Sequence, residues 1–141
     1  MRFWDASALV PLLINEPLTG RLKALGDDEV PMAVWWGTIV ECTSALVRRE
    51  RGGAISVAAR DNGLAALAEA SEYWLAVGPD AALRDAAVRA VRLHRLSAGD
   101  ALQLAAALDW AGGRPVGHEF VTLDRELRAA ASVEGFSVLP S

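Results

Sequence analysis

The chain has 141 residues, 52% hydrophobic and 23% charged, which suits one globular domain over residues 1–141 and excludes a disordered or fibrous chain. Cys42 is the only cysteine, which excludes an intrachain disulfide and suits a reducing compartment. The net charge of −4 argues at first against a nucleic-acid partner.

Arg2 to Asp5 reads as a first strand and Ser7 to Asn15 as a helix. This opening carries charge where a signal peptide needs a long apolar stretch. No apolar run nears the roughly 18 residues of a membrane span, so a soluble, cytoplasmic protein with no membrane partner is expected. Pro17 marks a break, and a short helix over Thr19 to Leu25 ends at Gly26-Asp27. Val30 to Val34 is a candidate strand, limited at its start by Pro31. A long helix covers Ile39 to Arg49, with room for one earlier turn, and stops at Gly52-Gly53. The next runs from Ser56 to Glu72, with Gly63 as a weak spot. Trp74 to Val77 forms a short strand before Gly78-Pro79, and Asp80 to His94 a helix with Leu83, Ala87 and Val91 at apolar spacing. Ser97 opens an alanine-rich helix that ends at Gly112-Gly113. Glu119 to Leu123 is a strand, Arg125 to Ala131 a helix and Phe136 to Leu139 a last strand. This alternation predicts an α/β fold with a mostly parallel sheet covered on both faces. Ligands of such sheets bind beyond the carboxyl ends of the strands.

Two aspartates fall where that rule directs attention. Asp5 ends the first strand and Asp124 follows Phe120-Val121-Thr122-Leu123. Glu41 and Asp100 lie in early turns of predicted helices, whose N-termini are able to face the same edge. Each acid also has a local explanation. Asp5 and Asp124 fit helix N-caps, while Thr38–Glu41 and Ser97–Asp100 have the spacing of capping boxes. As a set, four neighbouring carboxylates would raise one another's pKa, a conflict that a divalent cation resolves. Oxygen-only ligation suits Mg²⁺ or Mn²⁺, as one or two ions, with phosphodiester hydrolysis by a metal-activated water as the matching chemistry. There are 18 acidic and 14 basic residues, so the whole acidic excess equals these four and does not bar RNA. Lys23 is the only lysine; arginine suits phosphate, but high-GC codon usage enriches it equally well.

The segments around the four acids are WDASALV (Trp4–Val10), IVECTSALVRR (Ile39–Arg49), LSAGDALQLAAAL (Leu96–Leu108) and FVTLDREL (Phe120–Leu127). In order and spacing they resemble the acidic motifs of PIN-domain proteins, particularly VapC-type toxins of bacterial toxin–antitoxin pairs. The resemblance spans nearly the whole chain. It implies a three-layer α/β/α sandwich and an RNA-cleaving enzyme that binds Mg²⁺ or Mn²⁺ through Asp5, Glu41, Asp100 and Asp124. It further implies a homodimer inhibited by a small antitoxin protein that covers the acidic pocket. Gln103 stands where many relatives have histidine, a position outside the metal-binding acids.

Ser7 and Thr122 flank the strand-end aspartates and are candidates for orienting them, with local capping as the alternative. Arg48, Arg49 and Arg51 are candidate RNA contacts; the alternative is a solvated helix end favoured by the dipole. Asp109 and Asp27-Asp28 read as solvated surface. His94 and His118 lack a partner at metal-site spacing, and His118 reads as an exposed loop residue. Trp35-Trp36 reads as core unless exposed, in which case it marks a partner surface. A haloacid-dehalogenase-type phosphatase is excluded because its second aspartate would fall at Ser7. A housekeeping RNA-processing nuclease without an antitoxin and a non-catalytic interaction module are the competing functions.

Overall fold

In a computed structural model, which describes residues 1–26 and 30–141, the elements follow in order as β1 (Phe3–Trp4), α1 (Ala6–Leu13), α2 (Thr19–Lys23), β2 (Ala33–Trp35), α3 (Thr38–Arg51), α4 (Val57–Ser71), β3 (Leu75–Val77), α5 (Ala81–Leu93), α6 (Ala98–Trp110), β4 (Glu119–Val121), α7 (Arg125–Glu134) and β5 (Ser137–Leu139). The strands form one sheet in the order β3-β2-β1-β4-β5, and every neighbouring pair is parallel. The chain is thus a three-layer α/β/α sandwich on a parallel sheet. The Asp27-Asp28 turn lies outside the described residues. Among the described residues no helix is long and apolar enough to cross a membrane.

The two-residue period of a strand sends alternate side chains to opposite faces, and here both faces are apolar. Phe3, Ala33, Trp35 and Phe120 join α5, α6 and α7 in one core. Trp4, Val34 and Val121 join α1, α3 and α4 in the other. Phe3 meets Phe120 edge-on at 5.1 Å between centroids. The alanines of α6, Ala101 and Ala105 to Ala107, are buried, and their small side chains let the helix lie close to both α5 and the sheet.

Several elements differ from expectation. The second strand begins at Ala33, not Val30; Pro31 has no N–H for the ladder and is exposed, so pairing starts only after it. Gly63 is a packing position rather than a weak spot, because a Cβ there would come within 3.1 Å of Ile14 and 3.2 Å of Leu46. On α5 the buried residues are Leu83, Ala87 and Ala90, while Val91 is 47% exposed. Eight residues of helix carry Val91 about 80° round from Leu83, whereas Ala90 stays nearly in line. Trp35 is buried and Trp36 is 60% exposed, so the pair divides between core and surface.

Candidate active site

Chain order sets where this sheet can bind. β1 leads outward to β2 and β3, and the chain then crosses to β4 and β5, so the order reverses between β1 and β4. A crevice opens beyond the carboxyl ends of strands at such a reversal. Asp5 follows β1 and Asp124 lies three residues beyond β4. The Asp5 N–H donates to the Val121 carbonyl at 3.0 Å, which ties the two strand ends together. A cleft of about 570 Å³ lies here, lined by Asp5, Glu41, Asp100 and Asp124 together with Ser7 and Arg48.

The four acids reach the cleft by different local means. Asp5 caps α1 and accepts from the Ser7 N–H at 3.2 Å. Its Oδ2 also accepts from the Ser7 hydroxyl and, at 2.8 Å, from the Thr122 hydroxyl. Ser7 Oγ in turn accepts from the Leu123 N–H at 2.9 Å, and Thr122 Oγ1 accepts from the Asp124 N–H at 3.1 Å. Asp124 caps α7 through Oδ1, which accepts from the Leu127 N–H at 2.8 Å. Capping and cleft lining are therefore not alternatives for these two residues, since each does both. Ser97 caps α6 by accepting from the Asp100 N–H at 3.2 Å, half of the expected box. The Thr38–Glu41 box does not form. The cap of α3 is Gly37, which makes no side-chain cap bond, and a Cβ there would run into the Trp35 indole. Thr38 becomes the first helical residue, and Glu41 is free to face the cleft.

Glu41 finds its partner on the opposite helical layer. Gln103, fully buried on α6, donates through Nε2 to Glu41 Oε2 at 3.2 Å and to Thr38 Oγ1 at 3.0 Å. Gln103 is not among the site residues expected from the sequence. Its signal was present: it lies three residues after Asp100, hence on the same face of the helix, and it is polar within an alanine-rich stretch.

Electrostatics sets the acids apart from surface carboxylates. Burial raises the pKa of Asp5, helped by the charge of Asp124 and opposed by the bonds from Ser7 and Thr122. Burial pushes Glu41 up to about 7, against the Gln103 bond and with the charges of Asp5 and Asp100. Asp100 rises to about 6 through burial and the charges of Asp124 and Asp5, although Ser97 opposes the rise. Cys42, buried beneath Asp5 and Glu41, is pushed up to about 12, so its thiol stays protonated and inert. Among the described residues no three His, Cys, Asp or Glu side chains stand as a ready-made metal shell. The donor set is nevertheless all oxygen, and Mg²⁺ commonly takes one or two carboxylates and completes its shell with water and phosphate.

The remaining candidates separate cleanly. Arg48 is exposed and lines the cleft. Arg49 lines it too, but its Nε is paired with Glu16 at 2.6 Å. Arg51 is exposed and is not among the lining residues. His94 pairs with Glu134 at 2.9 Å. His118 is half-buried, packed edge-on against Trp110 at 5.0 Å, rather than exposed, because the loop before β4 folds back over the end of α6. Asp109 is exposed as expected.

No protein-family model and no curated protein matches the chain. Among solved structures it is similar to the crystal structure of PAE2754 from Pyrobaculum aerophilum, with 24% sequence identity and a TM-score of 0.64, covering 98% of this chain and 88% of that one. The architecture, the strand order and this likeness agree on one conclusion: the chain has a PIN-domain-like α/β fold.

Proposed function

We propose that the chain is a Mg²⁺- or Mn²⁺-dependent endoribonuclease acting as the toxin of a toxin–antitoxin pair. The observation that carries this reading is the meeting of Asp5, Glu41, Asp100 and Asp124, from four separate segments, on one cleft where the sheet order reverses. Burial, with a smaller contribution from the charges of the neighbouring acids, raises the pKa of Asp5, Glu41 and Asp100, and a bound cation would offset that cost of ionising them. The four carboxylates would hold the cation, which when bound supplies charge stabilisation and an activated water for in-line attack on a phosphodiester.

The protein's own groups do the rest. Ser7 and Thr122 hold Asp5 Oδ2 in place, and the α7 cap orients Asp124. Arg48 supplies a cation at the cleft rim for an RNA phosphate. The toxin role, the homodimer and the covering antitoxin follow from the motif resemblance described above. Calorimetry with Mn²⁺ and cleavage of a mixed RNA substrate test the reading together. Wild type should bind Mn²⁺ saturably and cut RNA only with the metal present, and Asp100→Asn should lose both. Cleavage that persists in excess chelator would refute it. Induction in a bacterial host tests the toxin role: wild type should arrest growth and Asp5→Asn should not.

A further inference from the structure

We infer that Gln103 is a positioning residue for Glu41, selecting which of its carboxylate oxygens is offered to the cleft; the inference rests on the metal-dependent reading above. An amide nitrogen has two hydrogens to donate. In Gln103 one goes to Thr38 Oγ1 and the other to Glu41 Oε2. With Oε2 engaged, Glu41 Oε1 lies toward the start of α6, 3.9 Å from where a Cβ on Gly99 would stand. That is the side from which Asp100, the next residue, enters the same cleft. One oxygen of Glu41 is thus anchored and the other is directed toward a second carboxylate.

The other end of the amide shows why this is more than packing. Gln103 Oε1 is buried and has no hydrogen-bond partner among the described residues. A buried acceptor without a partner is destabilising, and α6 fills its neighbouring buried positions with alanine and leucine at no such cost. Turning the amide would not relieve it, because Nε2 would then stand where Oε1 has no partner. The ionised form of Glu41 that a cation requires only accepts, so it is served by the NH₂ group facing it with Oε1 pointing away. A group that improves the carboxylate's geometry while burdening the fold is the pattern expected of a functional support.

Mn²⁺ titration of the full chain, paired with melting of the metal-free protein, tests the assignment. Gln103→Met keeps the length and apolar bulk but removes the donors. It should weaken Mn²⁺ binding about tenfold or more, while the metal-free melting temperature stays at or above that of wild type. A purely structural role predicts the reverse, a lower melting temperature with wild-type Mn²⁺ affinity in the folded protein, and that result would overturn the inference. If Gln103→Met does not fold, Thr38→Val decides. It removes one of the two acceptors that fix the amide and leaves Glu41 to hold it alone, so Mn²⁺ binding should weaken by roughly a few-fold, less than the outer-shell loss expected of Gln103→Met; unchanged affinity there overturns the inference. Wild type that binds no Mn²⁺ sinks the metal reading and this inference together. Binding in wild type that Gln103→Met matches sinks the inference alone.

Discussion

The strand-end half of the cleft and its helical half are built on different principles. Asp5 and Asp124 stand where β1 and β4 end, and each is held by hydrogen bonds that its own helix start supplies. The hydroxyls of Ser7 and Thr122 add a second set of donors on Asp5. Glu41 and Asp100 cap no helix with their carboxylates; Glu41 accepts one bond, from Gln103, and burial raises both, to about 7 and about 6, as it also raises Asp5. One half of the site is thus built into the fold, since its carboxylates also stabilise helices. The carboxylates of the other half stabilise no helix start, so a cation there would compete with no cap.

The largest expected effect breaks the first half without unfolding it. Asp5→Asn removes the charge but keeps a good cap, so metal-dependent cleavage should fall by about a hundredfold or more, the top of the range for losses around a metal site. The melting temperature should barely move. Asp5→Ala should lose activity equally and also about 1–2 kcal/mol of stability, because the cap goes and the buried Thr122 hydroxyl loses its acceptor. Equal stability in the two variants, read from denaturant unfolding, would show that Asp5 contributes nothing to the fold.

A smaller effect reads the helical half through pH. In the folded chain Glu41 and Asp100 keep protons until about pH 7 and about pH 6, against ordinary values of 4.5 and 3.8. Folding therefore takes up protons between those limits. Stability contributed by these groups is complete below about pH 4 and is lost as pH rises through about 7. For the metal-free protein this is on the order of 1–2 kcal/mol after allowance for partial solvent screening. Melting in chelator across pH 4 to 8 measures it, and Glu41→Gln should reduce the slope near pH 7 while Asp100 and Asp5 keep theirs. Added Mn²⁺ should stabilise more at pH 8 than at pH 5, since bound metal requires the deprotonated acids. A flat profile in wild type would show that burial does not hold protons on Glu41 and Asp100 in the folded chain.

The smallest effect tests the hydroxyl support. Thr122→Val should cost about 1 kcal/mol and weaken Mn²⁺ binding less than Asp5→Asn does. An effect on stability alone would reduce Thr122 to a structural role.

Much of this molecule was legible along the chain. The alternation of short apolar runs with amphipathic stretches identified the strands and helices to within a few residues, because hydrophobic periodicity is a local property. The two strand-end aspartates were legible for the same reason: a strand, an acid and a helix cap are consecutive in sequence. What the chain order did not show is what meets across the layers. Gln103 and Glu41 are 62 residues apart, and only the packing of α6 against the sheet brings the amide onto the carboxylate. The helix start falls one residue before Thr38, at Gly37, where the Trp35 indole leaves no room for a Cβ. Gly63 looked like a flaw in a helix until Ile14 and Leu46 were seen to close on it. The elements and the acids at the strand ends are written locally, since each follows from neighbours within a turn or two, and the parallel pairing follows from the helices that separate successive strands. How the helical acids are oriented, and which polar side chain supports Glu41, emerges only from the packing of layers, because those contacts join residues that share no local pattern.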